Sequence, residues 1–148
     1  MQDRYLFKAK RKDDGEWVQG YLFDDGFENG RVFIGGIVIE KYNGTACDDW
    51  NVTGINFCEI DPNTICQCTG LKDKNGKLIW ENDIVAYWDS YSTENGLAEA
   101  DCIGKVVWDD ETISFQVTNR LSAESYEVLG DECSVIVNVF DNTELLEE

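Results

Sequence analysis

The sequence predicts an all-β protein with little helix, built as two small β subdomains: an N-terminal hairpin-rich sheet over residues 1–60 and a C-terminal SH3-like bent sheet or barrel over 61–148. Three observations predict it. Six Asx-Gly dipeptides punctuate the chain: Asp14-Gly15, Asp25-Gly26, Asn29-Gly30, Asn43-Gly44, Asn75-Gly76 and Asn95-Gly96. They tolerate the positive φ that tight strand reversals require. Between them lie short runs rich in aromatic and β-branched residues, several alternating at period two. No long amphipathic helix is evident anywhere in the chain.

The elements follow in order. Residues 4–10 alternate with Tyr5, Phe7 and Ala9 on one face, and residues 16–23 place Trp17, Tyr21 and Phe23 together, which makes a first hairpin. Residues 31–40 form a third, more continuously apolar strand whose Gly35-Gly36 pair suggests a bulge or a close backbone approach. A polar loop is expected over 41–54, then a strand over 54–60, broken by Asp61-Pro62. The second half offers strands at 78–80, 84–88, 103–108, 113–118, 126–129 and 133–140, enough to close a small barrel or bend a sheet strongly. Residues 89–101 read as a long acidic excursion, mobile or functional. A short helix is conceivable over 121–128, and a single helical turn over 143–148.

Composition removes several function classes. The chain of 148 residues carries 30 acidic and 12 basic side chains, a net charge of −18. The charge is uneven: residues 1–12 sum to +4, 13–80 to −7 and 81–148 to −15. Such a field repels a phosphate backbone, so direct DNA binding is not expected. The acidic half reads first as a solvated surface and second as an imitation of nucleic acid offered to a basic groove on another protein. No apolar run approaches the roughly 18 residues of a membrane span. The N-terminus reaches Tyr5-Leu6-Phe7 and then turns basic, unlike a signal peptide, so a cytoplasmic protein without membrane association is expected. Its six cysteines then read as reduced thiols.

The chemistry that is missing is as informative. There is no histidine, which removes histidine acid–base catalysis, Ser-His and Cys-His pairs and most catalytic zinc sites. Cys58, Cys66 and Cys68, with Cys47 as a conceivable fourth ligand, match no common zinc spacing and read as core residues; Cys102 and Cys133 read as strand interior. A hydrolase needs two carboxylates in unequal environments at a defined separation, which the adjacency of Asp24-Asp25, Asp48-Asp49 and Asp109-Asp110-Glu111 does not supply; the third cluster, between two expected strands, reads as a solvated turn. No catalytic residue, metal ligand or cofactor is assigned. The aromatics Trp17, Tyr21, Trp80, Tyr87, Trp88 and Trp108 read mainly as core and interface. A nucleotide-sized aromatic cavity would need only one or two cations, which Arg4, Lys8, Lys10, Arg11 and Arg31 can supply in an oligomer.

Residues 59–85, EIDPNTICQCTGLKDKNGKLIWENDIV, combine the single proline, a Thr69-Gly70-Leu71 step, an Asn75-Gly76 turn and an Asn82-Asp83 pair. Together with Phe7-Lys8-Ala9, Trp17-Val18-Gln19-Gly20-Tyr21-Leu22 and the closing Val137-Asn138-Val139-Phe140-Asp141-Asn142-Thr143-Glu144-Leu145-Leu146, this run resembles the YopX family of small phage and prophage proteins, in order and spacing across nearly the whole chain. Cys66, Cys68, Asn82, Val137 and Thr143 depart from the family pattern. Asn82 stands where a glycine is usual and is expected to keep a positive φ. The resemblance implies an all-β fold in two small subdomains, self-association, a phage-encoded protein in the cytoplasm of a bacterial host, and motif residues that serve turns and packing.

The leading expectation is therefore a non-enzymatic phage or prophage accessory protein that acts by binding. The alternatives are a counter-defence protein, either an acidic nucleic-acid mimic or an oligomeric sponge for a small nucleotide signal, and a small carboxylate- or metal-dependent hydrolase. A homo-oligomer is expected, with a host or phage protein or a small nucleotide as possible partner. Candidate residues are Arg4, Lys8, Trp17 and Tyr21 for ligand binding and Trp88 and Trp108 for an interface.

Overall fold

The structure is a computed structural model, and it describes residues 3–28, 30–42, 49–119, 125–127 and 130–143. The described residues are mostly strand, and the helical pieces among them are short 3-10 turns at Asp3–Tyr5, Pro62–Thr64 and Gly130–Glu132, so the all-β expectation holds. Two compact units divide the chain: Tyr5–Ile65, and Met1–Arg4 with Cys66–Glu148.

In the N-terminal unit, β1 (Phe7–Lys10), β2 (Trp17–Asp24), β3 (Val32–Tyr42) and β4 (Asp49–Glu59) run antiparallel in the order β4-β3-β2-β1. The Asp14-Gly15 turn closes the first hairpin: Gly15 sits at φ 73° and its N–H donates to the Arg11 carbonyl at 3.0 Å. The first strand is shorter than expected, because residues 3–5 coil into a 3-10 turn. The polar loop expected over 41–54 also shrinks, since β3 continues through Tyr42 and β4 begins at Asp49; residues 43–48 lie outside the described residues.

The sheet curls until the end of β4 returns to the end of β1. Asp61 N–H donates to the Lys10 carbonyl at 2.8 Å and Lys12 N–H to the Glu59 carbonyl at 3.1 Å, around a single Arg11–Ile60 bridge. One bridge does not make a barrel. Its inner face buries Ala9, Ile34 and Ile60, with Phe7, Val18, Leu22, Val32 and Ile65 packed around them. The strand-breaking Asp61-Pro62 step caps the following 3-10 turn, where Asp61 Oδ1 accepts from Asn63 N–H at 3.0 Å.

Gly35 is the close approach anticipated for the glycine pair. A Cβ there would run into the Asn56 carbonyl oxygen and the Cβ and Cα of Phe57, whereas the register shift of β3 on β4 falls further along, between Val38 and Ile39. Gly35→Ala is expected to push β4 off β3 and lower stability by about 1–3 kcal/mol. Chemical denaturation checks this, and an unchanged midpoint would show that β4 gives way freely.

In the C-terminal unit, β5 (Cys66–Lys72) and β6 (Leu78–Trp80) form a bulged ladder. The sequence reading had no strand at β5, because glycine, threonine and cysteine carry little periodic signal. A five-stranded antiparallel sheet follows, with β7 (Asp83–Thr93), β8 (Gly96–Asp109), β9 (Ser114–Asn119), β10 (Ser125–Glu127) and β11 (Cys133–Asn138) in the order β10-β9-β8-β7-β11. With β10 and β11 at opposite edges the sheet stays open, which corrects the barrel alternative. The helix conceived over 121–128 is replaced at Ser125–Glu127 by strand pairing with β9, and residues 144–148 of the expected terminal turn lie outside the described residues. Ile79, Val85, Val106, Val117 and Cys133 form the core, with Tyr87, Phe115 and Val135 against it.

The most consequential correction concerns the acidic excursion. Residues 89–101 are not a loop: β7 and β8 pair without interruption from Ile84↔Lys105 to Thr93↔Gly96. The other partners stop early, β11 at Tyr87 and β9 at Gly104. Beyond those points β7 and β8 continue as a two-stranded ribbon.

Candidate functional site

Three of the four residues expected to bind ligand share one surface. In the β1–β2 ladder Lys10 lies opposite Trp17, Ala9 opposite Val18 and Lys8 opposite Gln19. Directly paired residues point to the same side of a sheet, so Lys8, Lys10, Trp17 and Gln19 face outward while Ala9 and Val18 enter the core. Lys8 Nζ stands 5.1 Å and Lys10 Nζ 5.4 Å from the centre of the Trp17 ring system, within cation–π range. Tyr21 follows on the same face at period two. Arg4 belongs to the other unit, where its carbonyl accepts from Gln67 Nε2 at 3.1 Å.

The outward face continues across the sheet. Tyr21 is opposite Gly35, which is opposite Phe57; Phe23 is opposite Phe33, which is opposite Glu59; and Ile37 is opposite Ile55. Of these aromatics the sequence reading assigns a role only to Tyr21, as core or interface and as a candidate for ligand binding. The structure exposes Tyr21 on this face together with Phe23, 46% exposed, and Phe57, 52% exposed. Phe33 and Phe57 meet edge to face with ring centres 5.5 Å apart, and Arg31 lies over Phe33 at 5.3 Å. At this corner Glu59 accepts from Lys12 Nζ at 3.0 Å and lies 3.7 Å from Arg31 Nη1, beside an open depression of about 320 Å³ lined by Lys12, Asp13 and Glu59. Arg11 bonds the Asp13 carboxylate at 2.7 Å, and that hydrogen bond lowers the Asp13 carboxyl and raises the guanidinium.

The residues proposed for an interface sit in the C-terminal unit. Trp88 stands at the base of the ribbon, opposite Asp101 and 59% exposed. Trp108 packs edge to face on Phe115 with centres 5.1 Å apart, and its Nε1–H donates to Asp110 Oδ1 at 2.9 Å. Trp108 is 42% exposed, and its ring partner Phe115 packs against the core.

Two of the acidic clusters are occupied in turns, and Asp49 of the remaining pair begins β4. Asp24 accepts from Gly26 N–H at 2.8 Å and Asp25 from Phe27 N–H at 3.2 Å. Asp109 accepts from the Thr112 hydroxyl at 2.8 Å and from Glu111 N–H at 3.0 Å, and these bonds lower its carboxyl below the usual range. Asp48 lies outside the described residues. Among the described residues no group of three or more cysteines and acids is placed to hold a metal ion. Cys66 and Cys68 are fully buried, Cys66 Sγ lying 3.7 Å from Asn82 Nδ2 and Cys68 Sγ 3.9 Å from the Ile79 carbonyl, while Cys58 faces the Ile34 carbonyl in the N-terminal unit. Burial, together with the Asp73 carboxylate, pushes the Cys133 thiol up, which keeps it protonated.

The motif run serves structure. Asp73, only 5% exposed, accepts from Asn75 and Lys77 N–H through Oδ1 and from Val135 N–H through Oδ2, each at 2.9 Å. One carboxylate thus shapes the Asn75-Gly76 turn and ties it to β11. Asn82 adopts φ 68°, as expected for a residue in place of glycine, and its N–H donates to the Val106 carbonyl at 2.8 Å. Asp83, almost fully buried, accepts from Trp80 N–H at 2.9 Å.

An open all-β protein with an outward aromatic and cationic face, and a motif spent on turns, belongs to the class of small β proteins that present a sheet surface. The family profile described as YopX protein matches residues 6–147, and the chain belongs to the YopX family. No curated protein matches it. No described helix is long and apolar enough to cross a membrane.

Proposed function

We propose that this YopX family protein is a non-enzymatic phage or prophage accessory protein that acts by binding, through the outward face of its N-terminal sheet. One observation carries the reading: Lys8 and Lys10 stand over Trp17 on a surface that continues into Tyr21, Phe23, Phe33 and Phe57. Monomeric proteins rarely leave so many large apolar side chains contiguous and exposed without using them. Cations beside aromatic rings suit an anionic group attached to a planar or apolar one, as in a nucleotide or an acidic peptide bearing aromatic residues. The turn bonds that occupy Asp24, Asp25 and Asp109 support binding over hydrolysis.

Titration calorimetry tests the proposal with two probe sets, a nucleotide panel with and without Mg²⁺ and short acidic peptides bearing tryptophan or leucine. The expected result is salt-sensitive binding to at least one set, with no new product by chromatography. Turnover of any probe, or binding that Lys8→Glu/Lys10→Glu leaves unchanged, overturns it.

A further inference from the structure

The β7–β8 ribbon is the largest feature that the binding reading leaves unused. Residues 88–93 pair with 96–101 and, among the described residues, with no third strand. Two-stranded ribbons are marginal in water by themselves, and their open edges invite further contacts. Its charges have one sign: residues 88–101 contain Asp89, Glu94, Glu99 and Asp101 and no lysine or arginine. Pairing puts Trp88 opposite Asp101, Ser90 opposite Glu99 and Ser92 opposite Leu97, so one face of the ribbon carries Trp88, Leu97, Glu99 and Asp101 together. Acidic side chains alone are an ordinary way to keep an open edge soluble. A tryptophan 59% exposed and a leucine 78% exposed on that same face do not fit that purpose.

This face has its complement in the same chain. Lys8 and Lys10 stand beside Trp17 on the outward face of β1 and β2, and the surface beyond them is aromatic. The dimensions also agree. Six residues of strand extend about 20 Å, and the outer strands of a four-stranded sheet lie about 14 Å apart, so the ribbon can lie across the whole face. A chain of net charge −18 repels its own copies unless contact is confined to patches of opposite sign.

Resting on the reading of the N-terminal face as a binding surface, we propose that its occupant is the β7–β8 ribbon of a second copy of this chain. Glu99 and Asp101 of the ribbon meet Lys8 and Lys10, and Trp88 and Leu97 cover the aromatic rows. The contact is heterologous, joining two different surfaces, so repetition gives a ring or a filament and exchange between two copies gives a closed dimer.

Sedimentation velocity over a range of protein concentrations tests this, at low salt and at 1 M salt, where the Debye length falls to about 3 Å. Association is expected at low salt and dissociation toward monomer at high salt. Lys8→Glu/Lys10→Glu and Glu99→Lys/Asp101→Lys are each expected to weaken association about tenfold or more, and combining the two pairs to restore it. Trp88→Ser weakens association without rescue by either pair. A monomer at every concentration, or charge reversals that neither weaken association nor compensate one another, overturns the inference. The ribbon variant leaves the N-terminal face untouched. If it still binds the calorimetric probes while association ignores Glu99→Lys/Asp101→Lys, this inference alone is lost; if Lys8→Glu/Lys10→Glu leaves probe binding intact, the reading of the face falls with it.

Discussion

Replacing Asp73 with asparagine is expected to lower stability by about 2–4 kcal/mol, because three backbone N–H groups lose a shared carboxylate that water does not replace. The acceptors are specific: Oδ1 takes Asn75 and Lys77, and Oδ2 takes Val135, 62 residues further along the chain. Asparagine keeps one oxygen but turns an amide N–H₂ toward one donor site. The loss should appear as a lower denaturation midpoint at neutral pH, with weakened hydrogen-exchange protection at Val135 as its local signature. Equal midpoints for the two proteins would show that the clip is dispensable.

The same carboxylate sets a pH dependence. Burial raises its pKa, but the N–H groups of Val135, Lys77 and Asn75, helped by the Lys77 charge, outweigh burial and leave it below the ordinary aspartate value. A carboxyl whose folded pKa is depressed binds protons more weakly in the native state. Its contribution is therefore complete above the unfolded value, about 3.9, and disappears as pH falls through the lower folded value. The stability difference between the native protein and Asp73→Asn should hold from pH 7 to about 5 and narrow below about 4. Taking the difference matters, because the other carboxylates titrate in the same range and partly cancel between the two proteins. A gap that widened with acid would reverse the assignment.

The second large effect is expected on binding. Trp17→Ala should weaken a bound planar group by about 1–3 kcal/mol, equivalent to roughly 5- to 150-fold, by removing the stacking surface. Lys8→Ala/Lys10→Ala should weaken it further and flatten the salt dependence, because the cations supply the long-range part of the attraction. Val18→Ala is the control. Val18 is next to Trp17 but points inward against Ala9 and Ile34, so its truncation should cost stability and spare affinity. Calorimetry and denaturation on the same three variants separate the two effects. The opposite pattern, with Trp17→Ala unfolding the sheet and Val18→Ala losing the ligand, would reverse the assignment of faces.

Much of the fold was legible because it rests on local chemistry. Asp14-Gly15, Asp25-Gly26, Asn75-Gly76 and Asn95-Gly96 all place their glycine at positive φ, and Asn82 does so without being glycine. Asp61-Pro62 ended the strand as expected, where the structure adds a capped 3-10 turn, and Gly35 marked a close approach of strands. Strand β5 escaped notice because Cys66, Thr69 and Gly70 become strand residues only beside β6, with a bulge that breaks any simple pattern. The ribbon escaped for a related reason. Its serines, alanines and acids look like loop residues, and only the register from Ile84↔Lys105 to Thr93↔Gly96 makes them strand.

The candidate face shows the same division. Alternation along β2 announces that Trp17, Tyr21 and Phe23 lie together, and the nearby lysines supply cations, so the members of the site were visible. Period two says nothing about which side is buried. The decision comes from packing: Val18 and Leu22 meet Ala9, Ile34 and Ile60 when the sheet curls, which turns the aromatics outward. By itself, then, the sequence determined an all-β chain, the places where it reverses and the motif that places it in its family, since turns and strand propensity are properties of a few adjacent residues. Only the tertiary structure decided which face is core, that the acidic excursion is a ribbon and that Asp73 clips β11, because each depends on a partner far away in the chain.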